Sequence, residues 1–411
     1  MSAYSDYFPD LFAFAALVVA AIAVAPLAAR IGLPGPAAFL GVGILAGATG
    51  FVPVDELSAL NLEQAGTVAL YAILFQGGLA TGFRAWRRSA QPILVLGLPG
   101  TAVTAAALAA FTHYVLGLDW ELAAPAGIAL APTDPAAVYA VLRGGRATRP
   151  RTILEGESGV NDPVGISLMV AAVAYLGPDD KGLGESALRF LQEIGIGAAI
   201  GIAAGLLLVV VLRASAGLPD ELRGAGLLAA AILVGAGTAT LHGSGFLAVY
   251  IAGLLLADAW RKQDGSRHVA TEAGAAIAEP LLFGLLGAAF ATAVGWSELG
   301  YGLALTVTTA FLVRPLVAAA STMRAGLTPG ERRIVAWGGL KGAVPLLLAA
   351  YPALEGLDGA RRTEGIVLVA TAASIVLQGA TLKRVARGAR TKARAPTRDD
   401  AYTPGTVPPD S

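Results

Sequence analysis

Long apolar runs recur along almost the whole chain, and they constrain its fold more than any other feature. Each run is long enough for a helix to cross a bilayer core of about 30 Å. Only 14% of the residues are charged and 55% are hydrophobic, whereas a soluble domain averages about 25% charged residues. We therefore predict an all-α polytopic membrane protein with about thirteen transmembrane helices. The runs cover residues 9–29, 34–52, 66–83, 90–117, 122–142, 151–177, 186–212, 223–241, 244–260, 270–294, 298–323, 333–354 and 363–385.

Composition also excludes several classes of function. The chain contains no cysteine, so disulfides and thiolate metal sites are ruled out. Its formal net charge is zero, which gives no electrostatic footprint for a nucleic acid. We expect the lipid bilayer, and no nucleic acid, as a partner.

Basic residues are concentrated in alternate connections between the runs. Those connections and the C-terminal segment hold 23 of the 29 Lys and Arg residues, whereas the opposite connections hold Lys181, Arg361 and Arg362. Loops rich in Lys and Arg stay on the cytoplasmic side of a membrane. We therefore predict a multi-pass protein of the cell inner (plasma) membrane, with its N-terminus outside and its C-terminus in the cytoplasm.

Two of the runs are interrupted near mid-depth. The fifth contains "APTDPAA" at residues 131–137, where two prolines remove backbone donors. The twelfth contains "WGGLKGAVP" at residues 337–345, where three glycines and a proline weaken the helix. Interrupted helices at corresponding places of two halves are typical of transporters built from inverted repeats, with the binding site at the midplane. We predict that helices 5 and 12 are broken and cross there.

Polar residues cluster in the sixth run, in "GESGVNDP" at residues 156–163. Ser158 and Asp162 are four residues apart and share one helix face, and Glu157 and Asn161 form the adjacent stripe. Measured from the connection between runs five and six, Asp162 and Asp134 both reach the central zone of the membrane. Hard oxygen ligands suit a hard cation, and a single carboxylate suits a monovalent one. We predict a cation site here; structural roles for Asp162 and Asp134 are the alternatives.

Further charged residues lie inside apolar runs, where each is costly and is a candidate for function. Glu157 and Arg314 are both mid-span, and we predict that they pair as structural support. Lys341 either faces the site or caps the carbonyls that a broken helix frees. Glu279, which precedes a proline in the tenth run, is predicted to make a second-tier polar contact.

These segments resemble one family. "APTDPAAVYAVL", "LEGESGVNDP", "FLVRPLVAA" and "GGLKGAVPLLLA" resemble the monovalent cation:proton antiporters of the NhaP and eukaryotic sodium/proton exchanger type. "LFQGGL", "EPLLFGLLG" and "VLQGATL" are weaker matches. The resemblance covers about residues 9 to 388. It implies a secondary transporter, not an enzyme, that needs no cofactor beyond its transported Na⁺ or K⁺ and H⁺.

The resemblance also implies roles for single residues. Asp162 would bind cation and proton in turn, and Asn161 stands where electrogenic relatives have a second Asp, which implies electroneutral one-for-one exchange. Lys341 stands where Arg is common, and Gln76 stands where some relatives have Glu. These two departures leave the choice between Na⁺, Li⁺ and K⁺ open. The positions that would line or support the ion site are Thr133, Asp134, Glu157 and Ser158. Of these, Thr133, Ser158 and Glu157 would ligate the Na⁺ or K⁺ together with Asp162.

A division of labour follows from the same resemblance. Residues 9–83 and 186–294 would form a scaffold and dimerisation domain, because family members are homodimers. Residues 90–177 and 298–388 would form a core domain that moves, and residues 389–411 a short disordered cytoplasmic tail.

Two rival functions are weighed against exchange. A passive monovalent cation channel would also use oxygen ligands at the midplane. An intramembrane serine protease would use Ser158 of "GESG" as nucleophile and His242 or His113 as base. Both histidines are predicted at the outer ends of their helices, so their geometry for that chemistry is poor.

Overall fold

The structure is a computed structural model that describes residues 2–52, 59–134, 148–177, 182–215, 217–264 and 269–393, and the regular structure in these ranges is helical. The first eight helices are α1 Ser2–Arg30, α2 Gly35–Ala48, α3 Ala59–Thr81, α4 Phe83–Arg88, α5 Ala90–Tyr114, α6 Trp120–Ala129, α7 Arg149–Leu176 and α8 Gly182–Ala214. The others are α9 Asp220–Thr240, α10 Gly245–Asp264, α11 Val269–Phe290, α12 Trp296–Thr322, α13 Pro329–Trp337, α14 Ala343–Leu354 and α15 Ala360–Gly388.

Within these ranges, eight helices are long and apolar enough to cross a membrane, and two shorter apolar helices, α2 and α14, accompany them. The predicted all-α polytopic class is confirmed, whereas the number thirteen stays a prediction. The two adjacent runs around "HGSG" are separate helices, because the chain turns between α9 and α10 and His242 adopts φ +55° there.

Both predicted interruptions are present. Helix α6 ends at Ala129 and the chain runs on without helical structure to Asp134, after which residues 135–147 lie outside the described part. The second interruption separates α13 from α14 at residues 338–342. The prolines and glycines of these segments explain the breaks, because they remove donors or favour non-helical backbone.

Tight backbone packing holds several helix pairs together. A Cβ atom on Gly43 of α2 would overlap the backbone of Gly284 on α11, and one on Gly201 of α8 would lie 2.8 Å from Cα of Ala248 on α10. In the other half of the chain, a Cβ atom on Gly127 of α6 would overlap the backbone of α5. Small residues of this kind let membrane helices approach closely, which replaces the hydrophobic driving force that lipid cannot supply.

In the described ranges, three long helices contain a turn of π-helix, which the apolar pattern did not indicate. The turns are Leu96–Gly100 in α5, Thr309–Val313 in α12 and Ile375–Gly379 in α15. Such turns re-aim the residues that follow them and often occur at functional sites. Helical structure continues past α15 to Ala393, so the predicted start of the tail at residue 389 falls within a helix; residues 394–411 lie outside the described part.

Candidate ion site at the helix breaks

The two interrupted helices meet through their non-helical segments. The backbone N–H of Asp134 donates to the carbonyl of Leu340 at 2.8 Å. Lys341 Nζ donates to the carbonyls of Ala131 and Pro132 at 3.2 and 3.1 Å. Lys341 is buried and therefore caps the carbonyls beyond the C-terminal end of α6, where the helix dipole is negative. Of the two predicted roles for this lysine, the structure shows the capping one.

Asp134 lies beside the end of the second interruption where α14 begins. A Cβ atom on Gly342, the residue just before α14, would overlap the carboxylate of Asp134. The carboxylate is thus packed against the backbone where α14 begins, and a helix N-terminus is positive. One acidic and one basic side chain therefore each face the half-helix end of opposite sign.

Helix α7 brings its polar stripe to the first break. Ser158 Oγ donates to Asp162 Oδ2 at 3.3 Å, and Asn161 Nδ2 donates to Thr133 Oγ1 at 2.8 Å. All four residues are buried. Among the described residues, Oδ1 of Asp162 and Oδ1 of Asn161 have no hydrogen-bond partner. Because a buried polar atom without a partner is costly, these oxygens indicate a place for a water molecule or a cation.

A cavity adjoins Asp162. Its volume is about 40 Å³, which is room for a small cation with a few water molecules. The sequence-predicted residues Thr133, Asp134, Asp162 and Glu279 line it, and apolar side chains form most of the remaining wall. Two polar residues that the sequence analysis did not select, Glu155 and Tyr250, line it as well. Glu155 stands two residues before Glu157 in the segment "LEGESGVNDP". The sequence shows that it is acidic, but it does not show that its side chain lines the cavity.

Glu157 lies elsewhere. Both of its carboxylate oxygens accept from Arg314, through Nη1 and through Nη2 at 2.8 Å, and Arg314 Nη2 also donates to the carbonyl of Val335 at 3.0 Å. The two side chains are 2% and 6% exposed, and Glu157 is not among the cavity-lining residues. The predicted ion pair is present, and it ties α7 to α12 and to the end of α13. Its carboxylate oxygens are directed at Arg314, which does not favour Glu157 as an ion ligand.

Two further residues hold the second break and escaped the sequence analysis. Ser374 Oγ accepts from the backbone N–H of Lys341 at 3.1 Å and donates to Gln378 Oε1 at 2.7 Å. Gln378 Nε2 in turn donates to the carbonyl of Trp337, the last residue of α13, at 3.0 Å. The only sequence signal was the weak match "VLQGATL", which contains Gln378.

The chain is similar to known proteins over almost its whole length. A family model described as the transmembrane sodium/hydrogen exchanger matches residues 16–388. The K⁺/H⁺ antiporter NhaP2 of Shewanella sp. (strain MR-4) is 31% identical in an alignment of 400 residues that covers 94% of this chain and 68% of the relative. The Na⁺/H⁺ antiporter NhaH of Halobacillus aidingensis is 24% identical in an alignment of 405 residues that covers 94% of this chain and 98% of the relative.

A solved structure shares the fold. The sodium proton antiporter MjNhaP1 from Methanocaldococcus jannaschii superimposes with a TM-score of 0.74 at 21% identity, covering 92% of this chain and 98% of that one. The family match extends over most of the chain and includes both helix breaks and the polar stripe of α7. The chain belongs to the sodium/hydrogen exchanger family.

Proposed function

We propose that this protein is a secondary active transporter that exchanges one monovalent cation, Na⁺ or K⁺, for one proton across the membrane. The observation that carries the proposal is the buried carboxylate of Asp162, which presents an oxygen without a partner to a small cavity beside two helix breaks. Relatives named for K⁺ and for Na⁺ exchange support the reaction class without choosing the cation.

Asp162 is the shared ligand in this proposal. Thr133, Asp134 and Ser158 supply or orient the other oxygens, and Asn161 holds the hydroxyl of Thr133. Glu157 supports the site through Arg314 and does not act as a ligand. Lys341 stabilises the first break, and Glu279 contributes a negative charge to the cavity wall.

Exchange follows from competition for one carboxylate. In a site of low dielectric, Asp162 binds either a proton or a dehydrated cation, and both loaded forms carry no net charge from this residue. The empty carboxylate is costly to bury, so the core crosses between its two orientations only when loaded. The coupling is therefore obligatory and electroneutral, as the Asn at position 161 also implies.

The moving parts are proposed to follow the two groups of helices. Residues 90–177 and 298–388 form the core, and residues 9–83 and 186–294 form the scaffold. The backbone contacts of α2 with α11 and of α8 with α10 lie within the proposed scaffold, and that of α5 with α6 within the proposed core. Close backbone packing within each group favours movement of each as one body.

The setting of the transporter is proposed from its charge pattern and its family. We propose a homodimer in the plasma membrane, with the N-terminus outside and the C-terminus in the cytoplasm. The positive-inside distribution of Lys and Arg supports this orientation.

The rival functions are less well supported. The hydroxyl of Ser158 donates a hydrogen bond to Asp162, and the ring of His113 stacks on Trp120 and bonds to the carbonyl of Leu118. Within the described part of the chain, Ser158 bonds to neither His113 nor His242, as the nucleophile of a serine protease would. A passive channel does not explain why one buried carboxylate stands at the centre of the breaks. Family membership favours exchange over both.

The experiment is reconstitution into vesicles that contain a pH dye, with Na⁺, Li⁺ and K⁺ added in turn. The purified protein should alkalinise or acidify the lumen only when a transported cation is added on one side, and Asp162→Asn should abolish the response while helix content is retained. Persistent cation-driven proton movement in Asp162→Asn would overturn the assignment of Asp162. Cation flux that continues without a counter-flow of protons would indicate a channel.

A further inference from the structure

Tyr250 is a buried residue of α10 whose place no sequence motif indicated. Its side chain is 2% exposed, and it lines the cavity next to Asp162. Its hydroxyl makes no hydrogen bond of normal geometry within the described residues. Thr81 lies close enough to interact with it. Because the hydroxyl of Thr81 donates to the carbonyl of Gly77 at 2.9 Å, its oxygen could only accept from Tyr250, and no such bond of normal geometry is present between these two residues.

The missing side chain at Gly159 makes room for this tyrosine. A Cβ atom at Gly159 would overlap the ring of Tyr250. Along α7, Glu155 lies one helical turn before Gly159 and Asp162 lies about one turn after it, so the three positions share a face. The phenol therefore stands between the two carboxylates on the cavity wall, within electrostatic range of both.

One wall of the cavity is mostly apolar. The wall made by α3, α10 and α11 consists of Leu70, Ile73, Leu74 and Gly77 with Phe283, apart from the polar groups of Tyr250 and Glu279. A cation that moves along this wall loses water, and it needs oxygen ligands in exchange. Tyr250 and Asp162 thus both line the cavity, and each has a buried oxygen without a normal partner among the described residues. Such oxygens call for an occupant such as water or an ion.

We propose that the hydroxyl oxygen of Tyr250 is a transit ligand for the partly hydrated cation on its way between Glu155 and Asp162. The inference rests on the proposed exchange function. Because Tyr250 belongs to the proposed scaffold and Asp162 to the proposed core, this ligand is available only in the orientation that the structure shows. The hydroxyl thus contributes to cation affinity from one side of the membrane.

The test uses the full chain in vesicles and measures exchange against the concentration of Na⁺ and of K⁺. Tyr250→Phe removes only the hydroxyl. Tyr71→Phe is the matched control, because Tyr71 is a buried tyrosine at 4% exposure that packs against Phe246 and does not line the cavity. Tyr250→Phe should raise the apparent KM for the cation about fivefold, the effect of losing one neutral oxygen ligand. The maximal rate and the pH profile should stay unchanged, which separates a ligand from a residue that merely shapes Asp162.

A second variant keeps the proposal testable if Tyr250→Phe does not fold. Gly159→Ala retains the hydroxyl but displaces the ring, so it should also raise the apparent KM while the protein elutes as one species. The inference would be overturned if the apparent KM of Tyr250→Phe equalled that of the control Tyr71→Phe. If only Gly159→Ala folds, an apparent KM of Gly159→Ala equal to that of the control would overturn it. Asp162→Asn, measured in parallel, separates the two claims: an active Asp162→Asn defeats the proposed function itself, whereas an inactive one with unaltered Tyr250→Phe defeats only this inference.

Discussion

Removal of one partner of the buried ion pair between Glu157 and Arg314 should destabilise the protein far more than removal of both. Arg314→Met deletes the two hydrogen bonds to Glu157 and the bond to the carbonyl of Val335. It also leaves the carboxylate of Glu157 at 2% exposure without a counter-charge. Breaking a buried pair in this way costs about 3–5 kcal/mol, whereas replacing both partners by apolar residues of similar volume is often neutral.

The free energy of unfolding can be measured by titration with a denaturing detergent in mixed micelles, followed by circular dichroism. Arg314→Met should lose about 3–5 kcal/mol, and Glu157→Met with Arg314→Met should recover to within about 1 kcal/mol of the wild type. The control is Arg189→Met, because Arg189 pairs with Glu185 at roughly half exposure and such a surface pair contributes about 0–1 kcal/mol. A single variant as stable as the control, or a double variant less stable than Arg314→Met, would refute the reasoning.

Three other predictions concern the breaks and the exchange reaction. Gly342→Ala should displace the carboxylate of Asp134 and abolish exchange in vesicles with helix content retained. Gly41 has open space around it, so the control Gly41→Ala should leave exchange unchanged. Equal exchange rates in the two variants would contradict the packing argument. Lys341→Met should lower the free energy of unfolding by about 1–3 kcal/mol, because two buried carbonyls lose their donor. Lys341→Arg should recover part of this loss. Full stability of Lys341→Met in the same detergent titration would contradict the capping role. On the acid side of the site's titration, the apparent KM for the cation should rise about tenfold for each unit by which the pH is lowered, because protons compete for the ligand. The maximal exchange rate at saturating cation should stay constant. An apparent KM that does not vary with pH would contradict competition.

The general architecture could be read from the sequence because it depends on local composition. Apolar runs long enough to cross a bilayer predict the helices, and the prolines and glycines near Pro132 and Gly338 predict the breaks. The pairing of Glu157 with Arg314 was predictable too, because two opposite charges inside a membrane need each other. Helix ends do not follow from the apolar runs: α3 begins at Ala59, before the predicted run at residue 66, because polar residues extend its first turns.

The remaining parts of the site depend on contacts between helices that no linear pattern encodes. Gln378 reaches the end of α13 across 41 positions of the chain, and the π-helical turn at Ile375–Gly379 that carries it has no composition of its own. Tyr250 reads as an ordinary residue of an apolar helix. It becomes part of the cavity only because Gly159, on another helix, leaves space for its ring.

The most direct test of the account is a count of the protons released when the cation binds. Calorimetric titration of the purified protein with Na⁺ or K⁺, in buffers of different ionisation enthalpy, gives this number. If one carboxyl group at Asp162 binds either ion and never both, the count approaches one proton per cation as the pH is lowered, and Asp162→Asn releases none. Cation binding without proton release at every pH, or unchanged release in Asp162→Asn, would contradict the account.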